Sequence, residues 1–192
     1  MTEERPPGPR VIEAFQGYSP SFSAAKLIYS MLRDVPANFL WGLHSIVLTN
    51  AAALSRKERK RKGLGHSRTA LEDAVGFYTQ EWKGDPARVT LLLDNIEKQW
   101  PGLLWRVGLI RSLAISQVLF HELGHHIHRV HRPEFEDKEN VAEKWSKKFF
   151  RKFVLRRYWY SLPLFVTISL VVNLWRDIAK LHQRIQRKTT EQ

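Results

Sequence analysis

"VLFHELGHHIHRVHR", residues 118–132, places five histidines and one glutamate within fifteen positions. It closes the longest periodic segment of the chain, 101–132. There Val107, Ile110, Ala114, Val118 and His121 fall on one broad face at helical spacing. Pro101 stands near the start of that segment, where a proline is tolerated, and Pro133 ends it. One long helix is predicted here, and the rest of the fold is read around it.

His121-Glu122-Leu123-Gly124-His125 is a complete H-E-x-x-H. On a helix, side chains four apart stack one turn over another, so both imidazoles can offer a nitrogen to one ion. Glu122 lies beside them, within reach of a proton on a metal-bound water whose pKa the ion lowers. There is no cysteine, which excludes disulfides, thiol catalysis and cysteine-ligated zinc. Any metal must therefore be held by His, Asp or Glu.

A third ligand has two sources. His131 has the spacing of the last histidine in H-E-x-x-H-x-x-G-x-x-H. However, position 128 is His rather than the glycine that lets the chain turn back, and no methionine follows Met31. That geometry is excluded on both counts. The other source is "ENVAE", which puts Glu139 and Glu143 one helical turn apart on a common face. One of them can bind the ion while the other accepts the N–H of a liganding histidine.

With those residues the pattern resembles the gluzincin metallopeptidases, the thermolysin-like superfamily, in which H-E-x-x-H is followed by E-x-x-x-D. Its compact members carry an E-x-x-A-[DE]-x-aromatic signature, matched here by Glu139, Ala142, Glu143 and Trp145. The resemblance covers roughly residues 42–150, with the signature confined to 118–146. It implies zinc held by His121, His125 and Glu139, with Glu122 as general base and Glu143 in the place of the aspartate. The extra methylene of Glu143 leaves it as the alternative ligand. The implied activity is endopeptidase hydrolysis, in which metal-bound water activated by Glu122 attacks a peptide carbonyl. The implied fold is α+β and zincin-like: about three strands, the motif helix, then a helix bearing the glutamate. An edge strand, for which "RVTLLLDN" (88–95) is the candidate, would pair with an extended peptide or protein substrate.

Around this centre, 20–36 reads as a short amphipathic helix stopped by Pro36. Strands are expected within 42–50, 74–82 and 87–96, with "KGDP" (83–86) as a turn. The run 42–50 could equally belong to one buried helix. The stretch 55–68 is basic and reads as a loop, and 133–157 as a helix with Val141, Trp145 and Phe149 as its core stripe. His126 is expected at the surface or behind the ligands, and His128 as a spare ligand.

The chain's 192 residues suffice for one core. Residues 1–15, opening with three prolines, read as a disordered lead without a cleavable signal peptide, residues 16–157 as the metallopeptidase domain, and 158–192 as a hydrophobic helix and basic tail. A cytoplasmic location is expected. The segment 158–175 would add a membrane association, since its length is at the lower edge of a bilayer span.

The net charge is +12; "RKERKRK" (56–62) carries six bases against one acid, and Lys144 to Arg157 seven bases and none. Such runs attract anionic surfaces, so 144–192 could meet a lipid headgroup layer, and charge alone also admits nucleic acid. The rival to the enzyme is thus a basic nucleic-acid-binding or membrane-anchored accessory protein, whose metal site is structural or incidental.

Overall fold

A computed structural model of the chain describes residues 8–60, 70–131 and 138–161. The chain divides into two compact units, Met1–Phe153 and Val154–Gln192. Of the second, the described part is the end of a helix and a 3₁₀ turn, Trp159–Ser161. Most of the 158–175 segment lies outside the described residues. Among those described, no helix is long and apolar enough to cross a membrane.

The first unit is α+β. Its four strands are β1 (Arg10–Ala14), β2 (Ser45–Thr49), β3 (Gly76–Thr79) and β4 (Arg88–Leu92), in the order β1-β2-β4-β3. Strands β1, β2 and β4 are parallel, and β3 runs antiparallel to β4. The helices are α1 (Ala24–Leu32), α2 (Arg56–Arg59), α3 (Leu93–Lys98), α4 (Gly102–Arg106), α5 (Gly108–His131) and α6 (Lys138–Tyr158).

Strands β2 and β4 are buried on both faces, β2 through Ile46 and Leu48 on one and Ser45 and Thr49 on the other, β4 through Val89 and Leu91 on one and Thr90 and Leu92 on the other, as central parallel strands require. That settles the ambiguity of 42–50 in favour of a strand. Helix α5 lies against the sheet and buries Ile115, Leu119, Phe120, Leu123 and Ile127, while α6 contributes Ala142, Phe149 and Phe153. Phe120 of α5 meets Phe149 and Phe153 of α6 at ring separations of 6.0 and 5.9 Å.

Four expectations need correction. The lead is ordered from Arg10 to Ala14, where β1 pairs with β2; Thr49 Oγ1 also donates to the Ala14 carbonyl at 2.6 Å. The strand escapes a reading by apolar content because it is an edge, with Val11 and Ile12 its only large apolar residues. The expected long helix 101–132 breaks at Val107, whose backbone is extended, and restarts at Gly108, a poor helix interior residue. The basic loop opens on α2, where Ser55 accepts from the Glu58 N–H and the Glu58 carboxylate accepts from the Ser55 N–H.

The fourth correction concerns the edge strand. Strand β4 is interior, between β2 and β3, so 88–95 presents no free edge. The edge is β3. Lys83 and Gly84 both have positive φ, at 49° and 91°, and Trp82 and Asp85 exchange backbone bonds around them. This two-residue turn folds β3 back along β4. Leu92 N–H donates to the Val75 carbonyl, so Val75, Phe77 and Thr79 face β4. Gly76 and Tyr78 then direct their backbone groups away from it, along the outer edge.

Candidate metal centre

Helix α5 sets the site. Its apolar residues fix the rotation of the helix against the sheet, and that rotation holds His121 and His125 at the surface while burying Glu122. The two histidine side chains are 34% and 21% exposed, and Glu122 is 6% exposed. The third member arrives from α6, where Glu139 stands in the first turn.

Two glycines bring these elements into range. At Gly124, inside the motif, an added Cβ would overlap the Ala142 carbonyl oxygen and lie 2.8 Å from the Ala142 Cα. Helices α5 and α6 therefore cross backbone to backbone, one turn along α6 from Glu139. At Gly76, a Cβ would lie 2.8 Å from Val118 Cγ1, so the edge strand rests directly on α5 just ahead of the motif.

The result is a triangle of donor atoms. His121 Nε2 and His125 Nε2 are 3.2 Å apart. Glu139 Oε1 lies 3.2 Å from His121 Nε2, and Oε2 lies 3.7 Å from His125 Nε2. Zinc bonds of about 2.0–2.1 Å at tetrahedral angles put ligand atoms roughly 3.3 Å apart; the two imidazole nitrogens are close to that spacing, and one Glu139 oxygen lies within 4.8 Å of both. Two imidazole lone pairs and a carboxylate this close need a proton or a cation between them. The group can hold a metal ion.

Glu143 is not part of the triangle. Its carboxylate pairs with Lys147 at 2.7 Å on the same exposed helix face, and that ammonium holds it below its ordinary pKa. Of the two glutamates, the structure brings Glu139 to the histidines. His128 is buried away from the triangle, and the His131 side chain lies outside the described residues.

Glu122 has a different environment. Burial, and then the charge of Glu139, push its carboxyl from the ordinary 4.5 up to about 8, with the nearby Tyr78 backbone N–H opposing that rise. In the metal-free chain the folded form therefore keeps this proton over a pH range where the unfolded chain has released it. Native protein binds more protons than unfolded protein there, so stability falls as pH rises from about 4.5 to about 8. The slope contributed by this one group is at most about 1.4 kcal/mol per pH unit. Denaturant midpoints in excess chelator at pH 5 and pH 8 should show the fall, and Glu122→Gln should flatten it. Equal pH slopes for the two proteins would contradict this environment for Glu122.

His126, expected at the surface or behind the ligands, is 1% exposed. Its Nε2 lies 3.0 Å from the Trp41 carbonyl and its Nδ1 3.2 Å from the Tyr78 hydroxyl, in a T-shaped contact with the Tyr78 ring. Sequence offered no signal for it, because these partners are 85 and 48 residues away. Gly124 did carry a signal, since a glycine inside a helix is costly unless something needs the space. Comparisons with protein-family models, with curated proteins and with solved structures return no match, so the centre is defined by this chain's own geometry.

Proposed function

We propose that the chain is a zinc-dependent metalloendopeptidase of the compact gluzincin kind. The observation that carries this is the donor triangle of His121, His125 and Glu139 with the Glu122 carboxyl buried on the same turn of helix. Two imidazoles and one carboxylate suit zinc and leave a fourth position for water or substrate, as a catalytic rather than a structural site does. When bound, zinc supplies a Lewis acid for the carbonyl and lowers the pKa of a water molecule.

The chain's residues do the rest. Glu122 takes a proton from the attacking water and passes it to the departing amine. A cation beside Glu122 favours its ionised form, the form a base requires, and so reverses the effect of burial and of Glu139. The outer edge of β3 receives the substrate as an added strand. The outward backbone groups of Gly76 and Tyr78 are the ones such a strand would pair with.

The test is elemental analysis beside chelator titration. Wild type and Glu143→Ala should each hold one equivalent of zinc, and Glu139→Ala should bind it at least ~100-fold more weakly, since loss of an outer hydrogen-bond partner alone costs about 10–100-fold. A wild type that holds no metal and takes up none ends this reading. Nucleic-acid binding that falls steeply with salt and ignores chelators would favour the reading from charge.

A further inference from the structure

No acidic residue stands between Lys98 and Glu122, a stretch that opens with Trp100, Leu103, Leu104 and Val107. All four of those apolar side chains are exposed. The cause is the way α4 is anchored. Trp105 is only 3% exposed and meets the Phe22 ring edge-on at 6.3 Å, and the Arg111 guanidinium lies 4.2 Å over that same ring. Successive residues of a helix turn by about 100°, so fixing Trp105 inward sends Leu103 to the opposite side. Leu103 is accordingly 77% exposed. Leu104 follows it, with Trp100 just before the helix and Val107 just after. A Cβ added at Gly102 would meet nothing within 4 Å, so the face is open at its start as well.

We propose that the exposed face of α4 docks the chain on a bilayer surface that contains anionic lipids, with Leu103 and Leu104 entering the boundary between headgroups and acyl chains. Charge complementarity names the surface. Lys98 and Arg106 flank the two leucines and are exposed, on a chain of net charge +12. The acids just ahead of them are engaged within the protein. Asp94 accepts from the Ala51 N–H and pairs with Lys98 at 3.1 Å, and Glu97 accepts from the Tyr18 hydroxyl at 2.6 Å. Each base near an anionic leaflet strengthens adsorption, and tryptophan favours the headgroup level, a place open to Trp100. Size argues against a second copy as the occupant. The four side chains present on the order of 400 Å², about half of the ~800 Å² that each partner gives to a stable interface. A bilayer asks for less, because an apolar face enters it by only about 5–10 Å. Docking here would hold His121 about 20 Å along α5 from Gly108, where that helix begins beside the lipid contact. The inference does not rest on the peptidase reading.

The chain has no cysteine, so a single introduced one carries a label at a chosen place. An environment-sensitive fluorophore is attached to the full chain as Leu103→Cys and, for control, as Asp85→Cys in the exposed turn between β3 and β4. On vesicles of phosphatidylcholine mixed with phosphatidylserine, the label at 103 should shift to the blue and be quenched by brominated acyl chains. The label at 85 should do neither. In co-sedimentation, Leu103→Asp/Leu104→Asp should bind these vesicles at least ~10-fold more weakly than wild type, since two apolar side chains no longer leave water. Arg106→Glu should weaken binding about 5-fold or more, as for losing one base at a charged leaflet. Vesicles of phosphatidylcholine alone should bind wild type ~10-fold more weakly or not at all. Melting temperatures should stay close to that of wild type, because every altered position is exposed.

Wild type that fails to bind the phosphatidylserine vesicles overturns the proposal, as does equal affinity for phosphatidylcholine alone. Undiminished binding by Leu103→Asp/Leu104→Asp, or an unquenched label at 103 on bound protein, would place the lipid contact elsewhere in the chain. A concentration-dependent dimer that the double substitution dissolves, without vesicle binding, would make a second copy the occupant. Should Leu103→Asp/Leu104→Asp melt well below wild type, Arg106→Glu and the label at 103 decide the matter.

Discussion

Glu122→Gln should leave the zinc content at one equivalent and lower peptide hydrolysis by about 10²–10⁴-fold, the range for losing a positioned acid–base group. The amide has almost the same shape, so it fills the same buried position. It cannot take a proton from water. The loss should fall on kcat, with KM nearly unchanged, because a contact made only in the transition state is removed. Matched elemental analysis and steady-state kinetics on the two proteins check this. A variant with more than a tenth of wild-type kcat would remove Glu122 from the mechanism.

Gly124→Ala should cost stability and metal affinity together. The new methyl would meet the carbonyl oxygen of Ala142 and stand 2.8 and 2.9 Å from its Cα and C. All three are backbone atoms, which no side-chain rotation can move aside, so the helices must part. Overfilling a close-packed interior costs about 1–3 kcal/mol, and valine here should cost more. Parting the helices also carries Glu139 away from His121 and His125, because it stands one turn before Ala142 on α6. A lower melting temperature and zinc binding weakened ~10-fold or more are expected, given that even outer-partner losses cost about 10–100-fold. Calorimetry and competition against a chelator measure the two effects. Unaltered affinity at a lowered melting temperature would show that Glu139 is placed independently of this crossing.

Helix α5 was legible because its cues are local: an apolar face at helical spacing, and ligands four residues apart. The α+β class was legible for the same reason, since β2 and β4 are short apolar, β-branched runs. Strand β1 was not, because an edge strand buries little and the prolines just ahead of it resemble a tail. The order β1-β2-β4-β3 could not be read either. Pairing is a long-range choice, and apolar content made β4 look like the peptide-binding edge when it marks the centre. At the site, the His121–His125 pair follows from spacing alone. Choosing between Glu139 and Glu143 required the position of α6, which depends on Gly124 meeting Ala142. The grip of His126 on Tyr78 and Trp41 joins three separate parts of the chain and has no local signature.

The donors at the centre come from two helices, which gives an ion bound there a mechanical role. It would cross-link α5 to α6 beside their crossing, and folded chain would be drawn out of the unfolded population in proportion to the ion's availability. For a ligand that binds only the native state, each tenfold rise in free concentration above Kd adds about 1.4 kcal/mol to stability. The melting temperature of such a chain reports on its buffer as much as on its sequence. Substitutions at Glu139, Gly124 or Ala142 would then alter folding most where zinc is plentiful and least where it is scarce.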